Sequence, residues 1–137
     1  MNEIILNKKI SIERCIAQIR KYYALDSHVP FKEDYYKQDA IAMNLQRACE
    51  LSIDIANLLI KIKKYGLPQD SRESFVLLHR ALLIDSEMSE GLQAMVGFRN
   101  TLVHQYKKLD VNVMVDVIEN HLDQLRDFAN IALKATE

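Results

Sequence analysis

Three Gly and two Pro in 137 residues leave this chain almost without the punctuation that turn-rich folds require. A sandwich or barrel of short strands needs a turn at every hairpin, so the scarcity points to long helices joined by few loops. The apolar pattern agrees. From Ile5 a stripe runs through Ile12, Ile16, Ile19 and Tyr23 at helical spacing and fades near Leu25. Residues 26–30 read as a loop, because Pro30 disfavours helix in the residue before it. A longer helix is expected from Phe31 to about Tyr65, with Ile41, Leu45, Ala48, Ser52, Ile55, Leu59 and Ile62 as its core stripe and Gly66 and Pro68 as its stop.

Asp70 with Glu73 three residues on resembles a capping arrangement that opens a third helix through Phe75, Leu78 and Leu82. Asp85 and Ser86 break the pattern before a fourth helix bearing Met88, Leu92, Met95, Phe98 and Leu102. Asp110 can cap a fifth, with Val111, Met114, Val117, Ile118, His121, Leu122, Leu125 and Phe128 along it. The expected architecture is all-α, a single antiparallel bundle of about five helices forming one domain over residues 1–137.

Composition bounds what such a bundle can do. Hydrophobic residues at 49% and charged residues at 27% exclude disorder. At this length about two thirds of the unfolded surface can be buried, so no disulfide or metal staple is required. The net charge of -1 means that any contact with nucleic acid must come from a local patch. No apolar run approaches the roughly 20 residues that span a bilayer, and the first residues lack a signal peptide's order. Cys15 and Cys49 stand far apart without CxxC spacing, as reduced thiols would. A cytoplasmic protein without membrane contact is expected. There is no H-x-x-x-H pair, Cys/His cluster or Gly-rich phosphate loop, so neither a metal nor a cofactor is expected.

One segment does not read as simple packing: Arg99-Asn100-Thr101-Leu102-Val103-His104-Gln105-Tyr106. On an ideal helix Asn100 and His104 share a face, as do Arg99 and Tyr106. Arg99 and His104 would lie about 140° apart, with Cα atoms roughly 8–9 Å from one another, close enough for both to reach one phosphate. Arg offers a permanently charged fork for phosphate, and His moves a proton near neutral pH. That pair suits RNA cleavage without a metal. His104 would take the ribose 2′-OH proton or supply one to the leaving 5′-oxygen, and Arg99 would stabilise charge on the transition state. An Arg and a His at this spacing also occur by chance on helices, and Tyr106 alone would serve as a packing aromatic.

Lys107 and Lys108 follow the motif and could guide RNA phosphates. On the second helix Asp54 interrupts an apolar run; it could orient His104 or Arg99, or belong with Arg47 and Glu50 to an outer ion-paired edge. His28, His79, His121 and the pairs Tyr22-Tyr23 and Tyr35-Tyr36 read more simply as loop, packing or helix-end residues.

The segment from Arg99 to Tyr106 resembles the R-x4-H-x-Y signature of the HEPN superfamily, specifically the HepT toxins of toxin–antitoxin pairs. Asn100 after the Arg, the apolar Leu102-Val103 before the His, the chain length and the helix order all match it. The resemblance implies a ribonuclease toxin acting as a homodimer, in which two Arg–His sets form a composite site. It implies as partner a minimal nucleotidyltransferase antitoxin of the MntA type, which transfers AMP from ATP onto the motif tyrosine, Tyr106 here. Some HEPN domains instead serve as non-catalytic scaffolds beside a nucleotidyltransferase; those usually lack the Arg or the His, and this chain has both. A purely structural helical dimer would leave the polar motif without a role.

Overall fold

The computed structural model describes residues 1–137, and six α-helices carry the chain: α1 (Glu3–Ala24), α2 (Tyr35–Lys63), α3 (Ser71–Arg80), α4 (Ser86–His104), α5 (Val111–Asn120) and α6 (Leu122–Ala135). Five of them start on a short polar side chain. Asn2, Asp34, Asp70, Asp85 and Asp110 accept from the backbone N–H groups of Ile5, Lys37, Glu73, Met88 and Asn112, satisfying donors that the helix leaves open. At α3 the arrangement is reciprocal, since Glu73 also accepts from the N–H of Gln69.

Long-range pairs set the topology. Lys8 meets Asp54 at one end of the α1–α2 pair, and the Lys37 ammonium donates to the Leu25 carbonyl at the other, so these helices run antiparallel. Glu50 meets Arg99, and Asp39 meets Tyr106 just beyond α4, so α4 is antiparallel to α2 as well. Arg20, near the end of α1, holds Asp123 at the start of α6 at 2.7 Å. Between these long helices lies one continuous cluster of 32 buried apolar residues, with Phe75 and Phe128 in edge-to-face contact at 5.4 Å. Short α3 is tied in by polar contacts: the Ser74 hydroxyl donates to Asn57 Oδ1 at 2.6 Å, and the Ser89 hydroxyl donates to the Phe75 carbonyl.

Outside the Arg99–Tyr106 segment, four details differ from the sequence expectation. The second helix starts at Tyr35, because Phe31–Glu33 form a separate 3-10 turn and Asp34 then caps α2. Ile62, the last residue of the expected stripe, is 44% exposed. A strict seven-residue repeat drifts about 20° per heptad on a straight α-helix, so by the third repeat the stripe has rotated off the core and Ile60 lies inside. The third helix stops at Arg80; Leu82 takes a left-handed backbone and points to solvent. The expected fifth helix is two, α5 and α6, broken at His121 (φ -125°, ψ -1°) with no Gly or Pro to announce it. No helix is long and apolar enough to cross a membrane.

Candidate active site

The site begins at the C-terminal end of α4. Leu102 and Phe98 bury one side of that helix in the core, which turns Asn100 and His104 outward and leaves Arg99 half-buried at the boundary. Arg99 Nη2 lies 3.8 Å from Glu50 Oε2, an ion pair too long for a hydrogen bond. Its Nη1 donates to Asn100 Oδ1 at 3.1 Å, and its Nε is buried without an acceptor. The guanidinium is therefore positioned but not consumed. His104 is exposed as the last residue of α4. Arg99 and His104 sit in one unbroken helix, as the spacing requires.

Tyr106 does not continue that helix. Gln105 (φ -139°, ψ 37°) ends it, and Tyr106–Lys108 form a 3-10 turn, so the seven-residue spacing to Arg99 no longer means a shared face. The Tyr106 hydroxyl instead donates to Asp39 Oδ1 at 2.5 Å. Asp39 and Glu50 are eleven residues apart on α2, about 16 Å along its axis, so the Tyr106 hydroxyl and the Arg99 guanidinium are anchored some three turns apart. A groove lined by Asp39, Ala42, Met43, Gln46, Leu102 and Tyr106 lies between α2 and the end of α4. Lys107 and Lys108 are exposed on the same turn as Tyr106. Burial, then the hydrogen bond to Asp39 and its negative charge, hold the Tyr106 phenol well above its ordinary range.

Asp54 is elsewhere. It is half-exposed, one helical turn beyond Glu50, and pairs with Lys8 of α1 at 3.6 Å. The carboxylate beside Arg99 is that of Glu50, not Asp54, and the antiparallel run of α4 places His104 further still from Asp54. Both acids occupy nearly the same face of α2, four residues apart, so only the register between α2 and α4 distinguishes them. Asp39 carried no signal in the sequence beyond its place on the first turns of α2. The neighbouring Cys49 is buried, and its thiol is pushed up to about 12 by that burial, against the pull of the Arg99 charge; it stays protonated. His121 Nε2 donates to Asp116 Oδ2 at 3.1 Å at the α5–α6 break, and His79 contacts the Ile84 carbonyl. Nowhere do three His, Cys, Asp or Glu side chains converge as a metal-binding set.

A helical bundle that carries an Arg fork, an exposed imidazole and two lysines around one helix end has the groups to act on a phosphodiester. The comparisons with known proteins give that class its family. Residues 12–131 match the family model described as "Ribonuclease HepT-like". The chain is 43% identical to the mRNA nuclease HepT of Shewanella oneidensis over 131 residues, covering 96% of this chain and 97% of that one. A solved structure of the tri-AMPylated Shewanella oneidensis HEPN toxin in complex with MNT antitoxin superposes with a TM-score of 0.90 at 43% identity, covering 98% and 99% of the two chains. A toxin–antitoxin complex with AMP-PNP superposes at 0.89 and 42% identity over 96% and 99%. The chain belongs to the HepT-like family of the HEPN superfamily and is an endoribonuclease.

Proposed function

We propose that this chain is the toxin of a two-component pair: an endoribonuclease that needs no metal, works as a homodimer, and is silenced by AMP transfer onto Tyr106. The observation that supports this reading is the state of Arg99, five residues before the exposed His104 on α4 and held only by a 3.8 Å ion pair and a neighbouring amide. A phosphate can take over the guanidinium without breaking a tight internal contact. In the reaction His104 removes the ribose 2′-OH proton, the 2′-oxygen attacks phosphorus, and the bond to the 5′-oxygen breaks. Arg99 binds the charge that builds on the non-bridging oxygens, with Asn100 steadying its fork. The products are a 2′,3′-cyclic phosphate and a 5′-OH. A homodimer brings two Arg–His sets together, so one imidazole serves as base and the other as acid.

Lys107 and Lys108 supply the local positive patch that a chain of net charge -1 needs to draw in RNA. The partner is a nucleotidyltransferase antitoxin of the MntA type, consistent with the complexes in which the relatives were solved. AMP on Tyr106 places phosphate charge beside these lysines and fills the groove toward Arg99. The test is cleavage of total RNA by the purified, unmodified chain in excess EDTA, with His104→Ala alongside. Cutting by the wild type alone is expected. Equal cutting by His104→Ala would remove the imidazole from the mechanism, and loss of cutting in EDTA alone would make the reaction metal-dependent.

A further inference from the structure

The cleavage reaction drawn above uses neither Tyr106 nor Asp39, and the chemistry of their contact suits another step. We propose that Asp39 is the base that activates Tyr106 for nucleotide transfer, so that the acceptor carries half of the machinery for its own inactivation. This rests on the reading of Tyr106 as the modified residue. The Tyr106 hydroxyl donates to Asp39 Oδ1 at 2.5 Å, and Asp39 itself is exposed on the first turns of α2. Both residues border a cleft of about 550 Å³, whose walls include Lys32, Lys107, Leu109 and Met114. That volume is of the size that holds a small ligand, and the mix of apolar floor and lysine rim suits a nucleoside with its phosphate.

The need for a base follows from the phenol. It is held protonated well above its ordinary range, so no phenolate is at hand near neutral pH. The proton has to leave as the new bond forms. In the step, Tyr106 Oη attacks the α-phosphorus of ATP carried by the nucleotidyltransferase. The bond from that phosphorus to the bridging oxygen breaks, pyrophosphate departs, and the phenolic proton passes to Asp39 Oδ1. The other titratable groups that line this cleft are Lys32 from the 3-10 turn before α2, Tyr35 at the start of α2, Lys107 from the turn after α4, and Asp110 at the start of α5.

The experiment mixes the purified, unmodified chain with its cognate nucleotidyltransferase and ATP, and follows intact mass over time. Wild type, Asp39→Asn and Tyr106→Phe are compared from about pH 7 to about pH 9. Asn keeps an acceptor for the hydroxyl but cannot take its proton. The expected result is a transfer rate lowered roughly 10²–10⁴-fold in Asp39→Asn. Its rate should then climb about tenfold per pH unit while the phenol stays protonated, against a flat profile for wild type. RNA cleavage by unmodified Asp39→Asn should match wild type, which excludes a folding defect. Equal rates and equal profiles in wild type and Asp39→Asn would overturn the proposal while leaving Tyr106 as the acceptor. A wild type that gains no mass, or a Tyr106→Phe that gains as much, would overturn the reading of Tyr106 as well.

Discussion

Arg99 is the residue whose environment says most about its task. Its Nε is buried without an acceptor, an arrangement that costs about 1–3 kcal/mol and that packing alone would not retain. Arg99→Ala should therefore leave the thermal midpoint unchanged or slightly raised while abolishing RNA cleavage. Arg99→Lys should restore little, because an ammonium lacks the planar fork that grips two phosphate oxygens. Thermal melts and a cleavage time course on the same preparations check both points. A large fall in melting temperature for Arg99→Ala would mean that the Glu50 pair holds α2 to α4. Activity in Arg99→Lys equal to wild type would show that charge suffices without the fork.

The helices divide the labour. Four long ones, α1, α2, α4 and α6, enclose the core, while the short α5 borders the cleft beside Tyr106 through Val111 and Met114. α6 is deeply packed for its length, with Leu125, Phe128, Ala129 and Ala132 all fully enclosed. Phe128→Ala removes the edge-to-face partner of Phe75 and leaves a cavity at the centre. It should cost about 3–5 kcal/mol in a denaturant titration, with the slope unchanged. A cost below about 1 kcal/mol would mean that the bundle closes over the hole, and that the core is less tightly packed than its burial implies.

For the whole molecule, an exposed ion pair at the α1–α6 seam ties a small part of the stability to pH. The Arg20 hydrogen bond holds the Asp123 carboxyl below the usual carboxylate range. A carboxyl depressed in the folded state adds stability above its unfolded value of about 3.9, and that gain is lost as pH falls through the folded value. Wild type should therefore be more stable than Arg20→Ala at neutral pH, by a modest amount because the pair is exposed, and the difference should vanish in acid. Equilibrium unfolding at a series of pH values tests this. A gap that persists in acid would assign the effect to packing of the Arg20 stem rather than to its charge.

Fold class, the starts of α3 and α5, and the single helix that carries both Arg99 and His104 could all be read along the chain. They rest on local rules: helical pitch, Asx capping of open N–H groups, and the spacing of two residues on one helix. At Tyr35 and Ile62 a heptad stripe hid local rules, the Asp34 cap and the drift of a seven-residue repeat on a straight helix. The break at His121 has no signal in its own residues and depends on where the helix meets its neighbours. The same holds within the site. Asp54 and Glu50 look alike in sequence, and the α2–α4 register gives Arg99 to Glu50 while Lys8 takes Asp54. Tyr106 and Asp39 are 67 residues apart and meet only because α4 ends where it does. Periodicity along one helix follows from backbone geometry, which each stretch of sequence determines for itself. The register between helices is a sum over packed side chains from distant segments, and only the folded chain evaluates it.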